Sequence, residues 1–191
     1  MIKIGLPKGV LKSKSKMMAK EICKCELFDS QLKVSNEKYM FLFLKHRDIP
    51  KFINLGILDY GITSDEWIIE NGKDKFNEIM EINWCKTKMA LIMKDSNQPI
   101  KVCATEFPNI AKNYFRNNDV KILYISGSSE TLIPEIVDAS IDCVETGKTL
   151  RDNQLIIKDT IFDSNIKLIS KKDVSSNNID EIIEYLKEYK L

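Results

Sequence analysis

Short apolar runs alternate along the first half of the chain with segments in which apolar residues recur every three or four positions. The runs predict strands at 2–6, 39–44 and 57–62, of which the second is a continuous apolar run and is expected to be buried on both faces. The helical spacing predicts a helix over residues 11 to about 25. Asp48 is placed to cap a short helix that contains Pro50 in its first turn.

The same alternation continues in the second half, where a further series begins near residue 88. Strands are predicted at 89–93, 101–104, 120–125 and 141–144, the third of them buried. Helices are predicted from Pro108, from about residue 130 to 137, and over 179–189. Alternating strands and helices are typical of an α/β protein with largely parallel sheets, and this is the fold class that we predict.

Composition and charge narrow the classes of partner. The 191 residues include 29 Lys plus Arg and 28 Asp plus Glu, so a net charge of +1 gives no broad field for nucleic acid or an anionic membrane. No apolar run approaches the roughly 20 residues of a membrane helix, and the strand at 2–6 leaves no room for a signal peptide. We therefore expect a cytoplasmic protein that binds a small ligand and neither nucleic acid nor a membrane.

The cysteines offer no metal site by spacing. The five are odd in number, Cys23 and Cys25 form a pair with no second pair, and the only histidine is His46. We interpret the cysteines as free thiols, most of them buried, and His46 as an edge or loop residue.

The segment from Asp142 to Leu150 carries the most chemistry. A predicted strand ends in two acids, Asp142 and Glu145, and then runs through a turn containing Gly147 into a helix start. Backbone N–H groups in such a turn can cradle a phosphate, while the two acids could hold the vicinal hydroxyls of a ribose. A nucleotide P-loop is excluded, because its first glycine would fall where the chain has Asp142. A glycine turn by itself is more often structural, and the two acids just before it favour the functional interpretation.

Five motifs stand in order along the chain. They are Leu6-Pro7-Lys8-Gly9, Asp48-Ile49-Pro50 with Asp59-Tyr60-Gly61-Ile62, Ala104-Thr105-x-Phe107-Pro108-Asn109, Gly127-Ser128-x-Glu130, and Asp142-x-Val144-Glu145-Thr146-Gly147-x-Thr149-Leu150-x-x-Asn153-x-Leu155. With these motifs the chain, from Ile2 to about Lys171, resembles the short form of ATP phosphoribosyltransferase, the catalytic subunit that begins histidine biosynthesis.

The resemblance implies a two-domain architecture like that of type II periplasmic binding proteins, with a ligand cleft between the domains. Domain I would comprise 1–88 plus 166–191, and domain II, 89–165, would carry the phosphoribosyl pyrophosphate loop. It also implies a homodimer that joins a separate regulatory subunit similar to histidyl-tRNA synthetase in a hetero-oligomer.

The resemblance also implies substrates and residue roles. ATP and phosphoribosyl pyrophosphate would meet in the cleft, Asp142 and Glu145 would act on the ribose and hold Mg²⁺, and Lys8 would complete the catalytic set. The other implied substrate-binding residues are Thr146, Gly147, Lys148 and Thr149 at the 5′-phosphate, with Gly9, Lys45 and Arg47 elsewhere in the cleft. Arg47 could instead form a surface ion pair with Asp48.

Two positions depart from the family pattern. Val10 stands where the family usually has Arg, and Glu106 stands where it usually has Lys, so both remove positive charge. The chemistry itself suits the residues present, because adenine N1 is already a nucleophile and needs no strong base. A diverged paralogue that binds a small phosphorylated ligand without chemistry is the alternative, and pyrophosphate release separates the two.

Overall fold

A computed structural model of the chain describes residues 1–116, 118–172 and 178–188. The chain forms two compact units, one of Met1–Cys85 with Asn165–Leu191 and the other of Lys86–Ser164. Tyr189, the last residue of the predicted C-terminal helix, lies outside the described residues. Within the described ranges, no helix has the length and apolar character needed to cross a membrane.

Strands and helices alternate through much of the described chain. The strands are β1 (Ile2–Pro7), β2 (Lys33–Ser35), β3 (Tyr39–Leu44), β4 (Tyr60–Ser64), β5 (Phe76–Met93), β6 (Val102–Thr105), β7 (Lys121–Tyr124), β8 (Ala139–Val144) and β9 (Ile156–Lys171). The helices are α1 (Lys12–Cys23), α2 (Ile49–Asn54), α3 (Asp65–Glu70), α4 (Pro108–Tyr114), α5 (Lys148–Asp152) and α6 (Asp180–Glu188). The predicted α/β class is confirmed.

In the first unit, the strands run in the order β2-β3-β1-β4-β9. β1 is parallel to both β3 and β4, whereas β2 and β9 are antiparallel to their neighbours. Tyr39 and Phe41 of β3 are fully buried and pack with Met18 of α1 in the main core. Since Pro7 lies opposite Leu44, β1 and β3 end side by side, and the residues that follow them lie together at the carboxyl ends of these parallel strands.

In the second unit, the strands run in the order β5-β8-β6-β7. β8 is antiparallel to β5 on one side and parallel to β6 on the other, so it lies inside the sheet. Ala90, Ala104 and Leu150 are among the buried residues of this unit's core. β8 leads directly into the predicted phosphate-binding loop, and its interior place in the sheet therefore fixes the position of that loop.

Two predictions in the second unit are wrong. The strand predicted as buried at 120–125 is β7, which pairs with β6 at an edge and leaves Leu123 38% and Tyr124 58% exposed. The helix predicted to run to about Val137 is only a 3-10 turn at Ser129–Leu132. Pro134 has no N–H to donate and cannot occupy a helix interior, which accounts for the short turn.

Other local differences concern caps, thiols and strand lengths. The Asp48 side chain makes no capping hydrogen bond to α2. The strand predicted at 57–62 begins at Tyr60, and the long strands β5 and β9 extend well beyond the segments that the apolar pattern indicates. The cysteines are free, as predicted, but only Cys103 is fully buried.

Candidate active site

A pocket of about 220 Å³ opens where β8 ends in the second unit. Its lining contains both acids and all four loop residues that the sequence singled out. The lining residues are Ile92, Glu130, Asp142, Cys143, Val144, Glu145, Thr146, Gly147, Lys148, Thr149 and Leu150. The carboxylates and the polar turn in this lining give the pocket groups for hydroxyls and for a phosphate.

Asp142 is held in one orientation by its neighbours. Its Oδ1 accepts the N–H of Cys143 at 2.7 Å, and its Oδ2 accepts the hydroxyl of Ser129 at 2.9 Å. Burial raises the pKa of Asp142 from its ordinary 3.8 to about 6; hydrogen bonds from Cys143 and Ser129 oppose this rise, and the charge of Glu130 adds to it. At neutral pH the carboxylate is therefore mostly ionised, yet more readily protonated than an exposed acid.

The turn after β8 depends on its glycine. Gly147 has φ +68°, a left-handed conformation that side chains disfavour, and a Cβ there would lie 3.3 Å from Arg151 Nη1. That same Nη1 donates to the Thr146 carbonyl at 3.0 Å, and Thr146 Oγ1 accepts the N–H of Lys148 at 3.3 Å. The turn is thus closed by its own side chains, with Glu145 and Thr149 exposed beside it.

Three residues beside the acid were not predicted as site residues. Ser129 and Ser140 are fully buried and share a short hydroxyl contact next to Asp142, while Glu130 lines the pocket. Arg151, which ties down the turn, was also missed. The motif Gly127-Ser128-x-Glu130 was the available signal for the first of these, because it flanks Ser129.

The remaining predicted site residues lie in the first unit. Lys8 follows β1 and Lys45 follows β3, and the two ends meet where the Lys8 N–H donates to the Leu44 carbonyl at 2.7 Å. Gly9 is exposed with φ +74°, and Arg47 Nε lies 3.9 Å from Asp48 Oδ1. These groups form a basic edge at the carboxyl ends of parallel strands, the usual position of ligand sites in such sheets.

His46 lies in the same edge but is mostly shielded from solvent. Its Nδ1 is buried and has no hydrogen-bond partner within the described part of the chain. Burial lowers the pKa of His46 from 6.5 to about 4, so the ring is neutral at physiological pH. A neutral ring adds no charge to the basic edge, so the positive charge there comes from Lys8, Lys45 and Arg47, with the Asp48 carboxylate beside Arg47.

Most of the chain is similar to proteins of one known family. A sequence profile of ATP phosphoribosyltransferase matches residues 45–188. This chain belongs to the ATP phosphoribosyltransferase family. The ATP phosphoribosyltransferases of Clostridium botulinum strain Okra and Thermoanaerobacter sp. strain X514 are 35% and 34% identical to it, over 97% and 98% of this chain. The chain covers 94% and 95% of those proteins, so the match is to the short form.

Solved structures agree on the fold of this phosphoribosyltransferase. The ATP phosphoribosyl transferase (HisG:HisZ) complex from Thermotoga maritima contains a chain with a TM-score of 0.83 at 23% identity, covering 98% of this chain and 96% of that one. The substrate binding protein of an amino acid ABC transporter matches with a TM-score of 0.60 at 10% identity, covering 98% and 93%. The predicted likeness to type II periplasmic binding proteins is confirmed.

Proposed function

We propose that the pocket at the end of β8 binds the phosphoribosyl group of phosphoribosyl pyrophosphate in this ATP phosphoribosyltransferase. The family reaction transfers that group to N1 of ATP with release of pyrophosphate, the first step of histidine biosynthesis. The observation that supports the assignment is the lining of one pocket by Asp142, Glu145 and the turn 146–149.

Within this proposal, each part of the pocket has a chemical task. The turn Thr146, Gly147, Lys148 and Thr149 binds the 5′-phosphate through backbone N–H groups, hydroxyls and one ammonium group. Asp142 and Glu145 face the ribose, where carboxylates accept hydrogen bonds from its two hydroxyls. Lys8, Gly9, Lys45 and Arg47 of the basic edge bind the pyrophosphate and the phosphates of ATP, because these anions need cations.

The main requirement of this reaction is the stabilisation of charge that develops in the transition state. The N1 lone pair of adenine forms a bond to ribose C1 while the bond from C1 to the pyrophosphate oxygen breaks, and that electron pair leaves with pyrophosphate. Positive charge then develops on the ribose and negative charge on the leaving group. The Asp142 and Glu145 carboxylates would stabilise the first, and the basic edge the second, without a strong general base.

A magnesium ion fits this chemistry as a companion of the substrate. Among the described residues, no group of three or more His, Cys, Asp or Glu side chains could hold a metal. Mg²⁺ is commonly held by one or two carboxylates together with substrate phosphates, and Asp142 with Glu145 could supply the protein oxygens. The ion, when bound, would neutralise charge on the pyrophosphate.

We also infer that the chain forms a homodimer and works with a separate histidyl-tRNA-synthetase-like regulatory subunit. The Thermotoga maritima structure is a complex of two kinds of subunit, which supports the association with a second subunit. Mass measurement of the purified chain, alone and after mixing with a candidate subunit, tests it. Because ATP and phosphoribosyl pyrophosphate are metabolites of the cell interior, the proposed activity implies a cytoplasmic location.

Substitution of Gly147 tests the assignment of the turn. Gly147→Val forces a branched side chain into a left-handed conformation and toward Arg151, so it should weaken phosphoribosyl pyrophosphate binding at least tenfold. Gly56→Val is the matched control, since Gly56 has φ +69° with open space around it in the first unit. Calorimetry on both folded variants should show the loss only at 147. Unchanged affinity in folded Gly147→Val contradicts the proposal.

A further inference from the structure

Glu106 makes a contact that its charge alone does not explain. Its carboxylate accepts the backbone N–H of Gly127 through a short hydrogen bond. Glu106 follows β6 and Gly127 comes three residues after β7, and these two strands are parallel neighbours. Their carboxyl ends are therefore adjacent, and the contact joins the start of the loop after β6 to the start of the loop after β7.

The turn that Glu106 holds leads directly to the pocket. Ser129, two residues after Gly127, is fully buried, and its hydroxyl donates to Asp142 Oδ2 at 2.9 Å. Hydrogen bonds at both ends thus fix the segment 127–130, which we call the serine turn. One end is bonded to Glu106 and the other to the acid at the pocket.

Gly127 explains why an acceptor is needed at this place. Its φ of +113° belongs to a region that other residues rarely adopt, and no heavy atom lies within 4 Å of where a Cβ would be. Because glycine has no side chain to pack, the start of the serine turn takes no restraint from a side chain at position 127. The hydrogen bond from Gly127 to Glu106 supplies a restraint that a lysine or an alanine at position 106 could not supply, because neither side chain has an acceptor.

We propose that Glu106 is a positioning residue, whose carboxylate holds the serine turn so that Ser129 keeps Asp142 oriented in the pocket. The inference rests on the proposed function for its effect on catalysis, because it assigns Asp142 to the ribose. Its structural part, the restraint of Gly127 by Glu106, stands independently of that function. An acceptor oxygen at position 106 is required, and a negative charge is not.

Three substitutions separate the acceptor from the charge. Glu106→Gln keeps an acceptor oxygen and removes the charge, Glu106→Ala removes both, and Glu106→Lys reverses the charge. Amide exchange at Gly127, followed by NMR, should stay slow in Glu106→Gln and become about tenfold faster or more in the other two. With ATP and phosphoribosyl pyrophosphate, kcat should fall about tenfold in the Ala and Lys variants, with KM for phosphoribosyl pyrophosphate changing less.

Glu135→Ala is the control for charge removal, since Glu135 is exposed in the same unit and outside the pocket lining. It should change neither readout. If Gly127 exchanges at the same rate in the Gln and Ala variants, the restraint is overturned. It is also overturned if exchange is unchanged in all variants while affinity for phosphoribosyl pyrophosphate rises from the natural protein to the Ala variant and again to the Lys variant. If exchange follows the predicted pattern but the natural protein neither binds phosphoribosyl pyrophosphate nor releases pyrophosphate, the restraint stands and the proposed function fails.

Discussion

Replacing Asp142 by Asn should stabilise the protein while it impairs catalysis. The carboxyl has a pKa of about 6 in the fold against an ordinary 3.8, so keeping it ionised above pH 6 costs about 3 kcal/mol of folding stability. Between pH 3.8 and 6 the folded state binds more protons than the unfolded state. Stability contributed by this group is therefore greatest below pH 3.8 and falls as pH rises to 6.

Asparagine keeps most of the local hydrogen bonds while removing this cost. Its Oδ1 can accept the Cys143 N–H, and its Nδ2 can donate to the Ser129 hydroxyl, although both partners lose a charged acceptor. We therefore expect a net gain of about 1–3 kcal/mol in the free energy of unfolding at pH 8. At pH 3.5 the natural carboxyl is itself protonated, and the gain should vanish.

Urea denaturation of both proteins at the two pH values, in buffer with a chelator, measures the gain. The difference between the proteins cancels the titration of every group that does not interact with Asp142. Glu145→Gln is the control, because Glu145 is exposed on the same loop and its replacement should change stability little at either pH. Turnover of Asp142→Asn should fall about 10²-fold, and more than affinity falls. A less stable variant at pH 8, or an equal gain at pH 3.5, would refute the reasoning.

Two further predictions concern the first unit. NMR titration of the single histidine should give a midpoint near pH 4 for His46, with stability lost as pH falls from 6.5 to 4; a midpoint near 6.5 contradicts its burial. Lys167 lies 2.8 Å from Asp65 and 2.6 Å from Glu78 with a side chain only 13% exposed, so Lys167→Met should cost about 3 kcal/mol in urea denaturation. Lys73→Met, which removes an exposed partner of Glu78, should cost under about 1 kcal/mol, and equal losses would contradict the role of burial.

The sequence predicted the part of the site whose residues are neighbours in the chain. Asp142, Glu145 and the turn 146–149 follow one strand without interruption, so their place in one pocket required only that β8 end where the apolar run ends. Ser129 reaches Asp142 from a loop after a different strand. That contact depends on which strands lie side by side, and the hydrophobic pattern carries no information about strand order.

The long strands show a second limit. The first part of β9, from Ile156 to Thr160, is exposed, so it lacks the buried face that makes a strand visible in a sequence. In β5, buried Ile82 and Trp84 alternate with exposed Glu81 and Asn83, so an alternating signal was present there but was shorter than the strand. For β7 the error was the opposite one: its apolar residues predicted burial, but they are largely exposed at the edge of the sheet. Apolar pattern reports burial, whereas a strand is defined by backbone hydrogen bonds.

The two departures from the family pattern are physically different, although in the sequence each is simply a lost positive charge. Val10 is 86% exposed, and nothing in the structure explains it. Glu106 has a defined partner in the Gly127 N–H, so the residue that removes a cation also provides an acceptor. Restoring a cation at position 10 would therefore sacrifice no packing, whereas restoring one at position 106 would release the serine turn. The loss of charge at 106 is thus tied to the geometry around Asp142, and the loss at 10 is not.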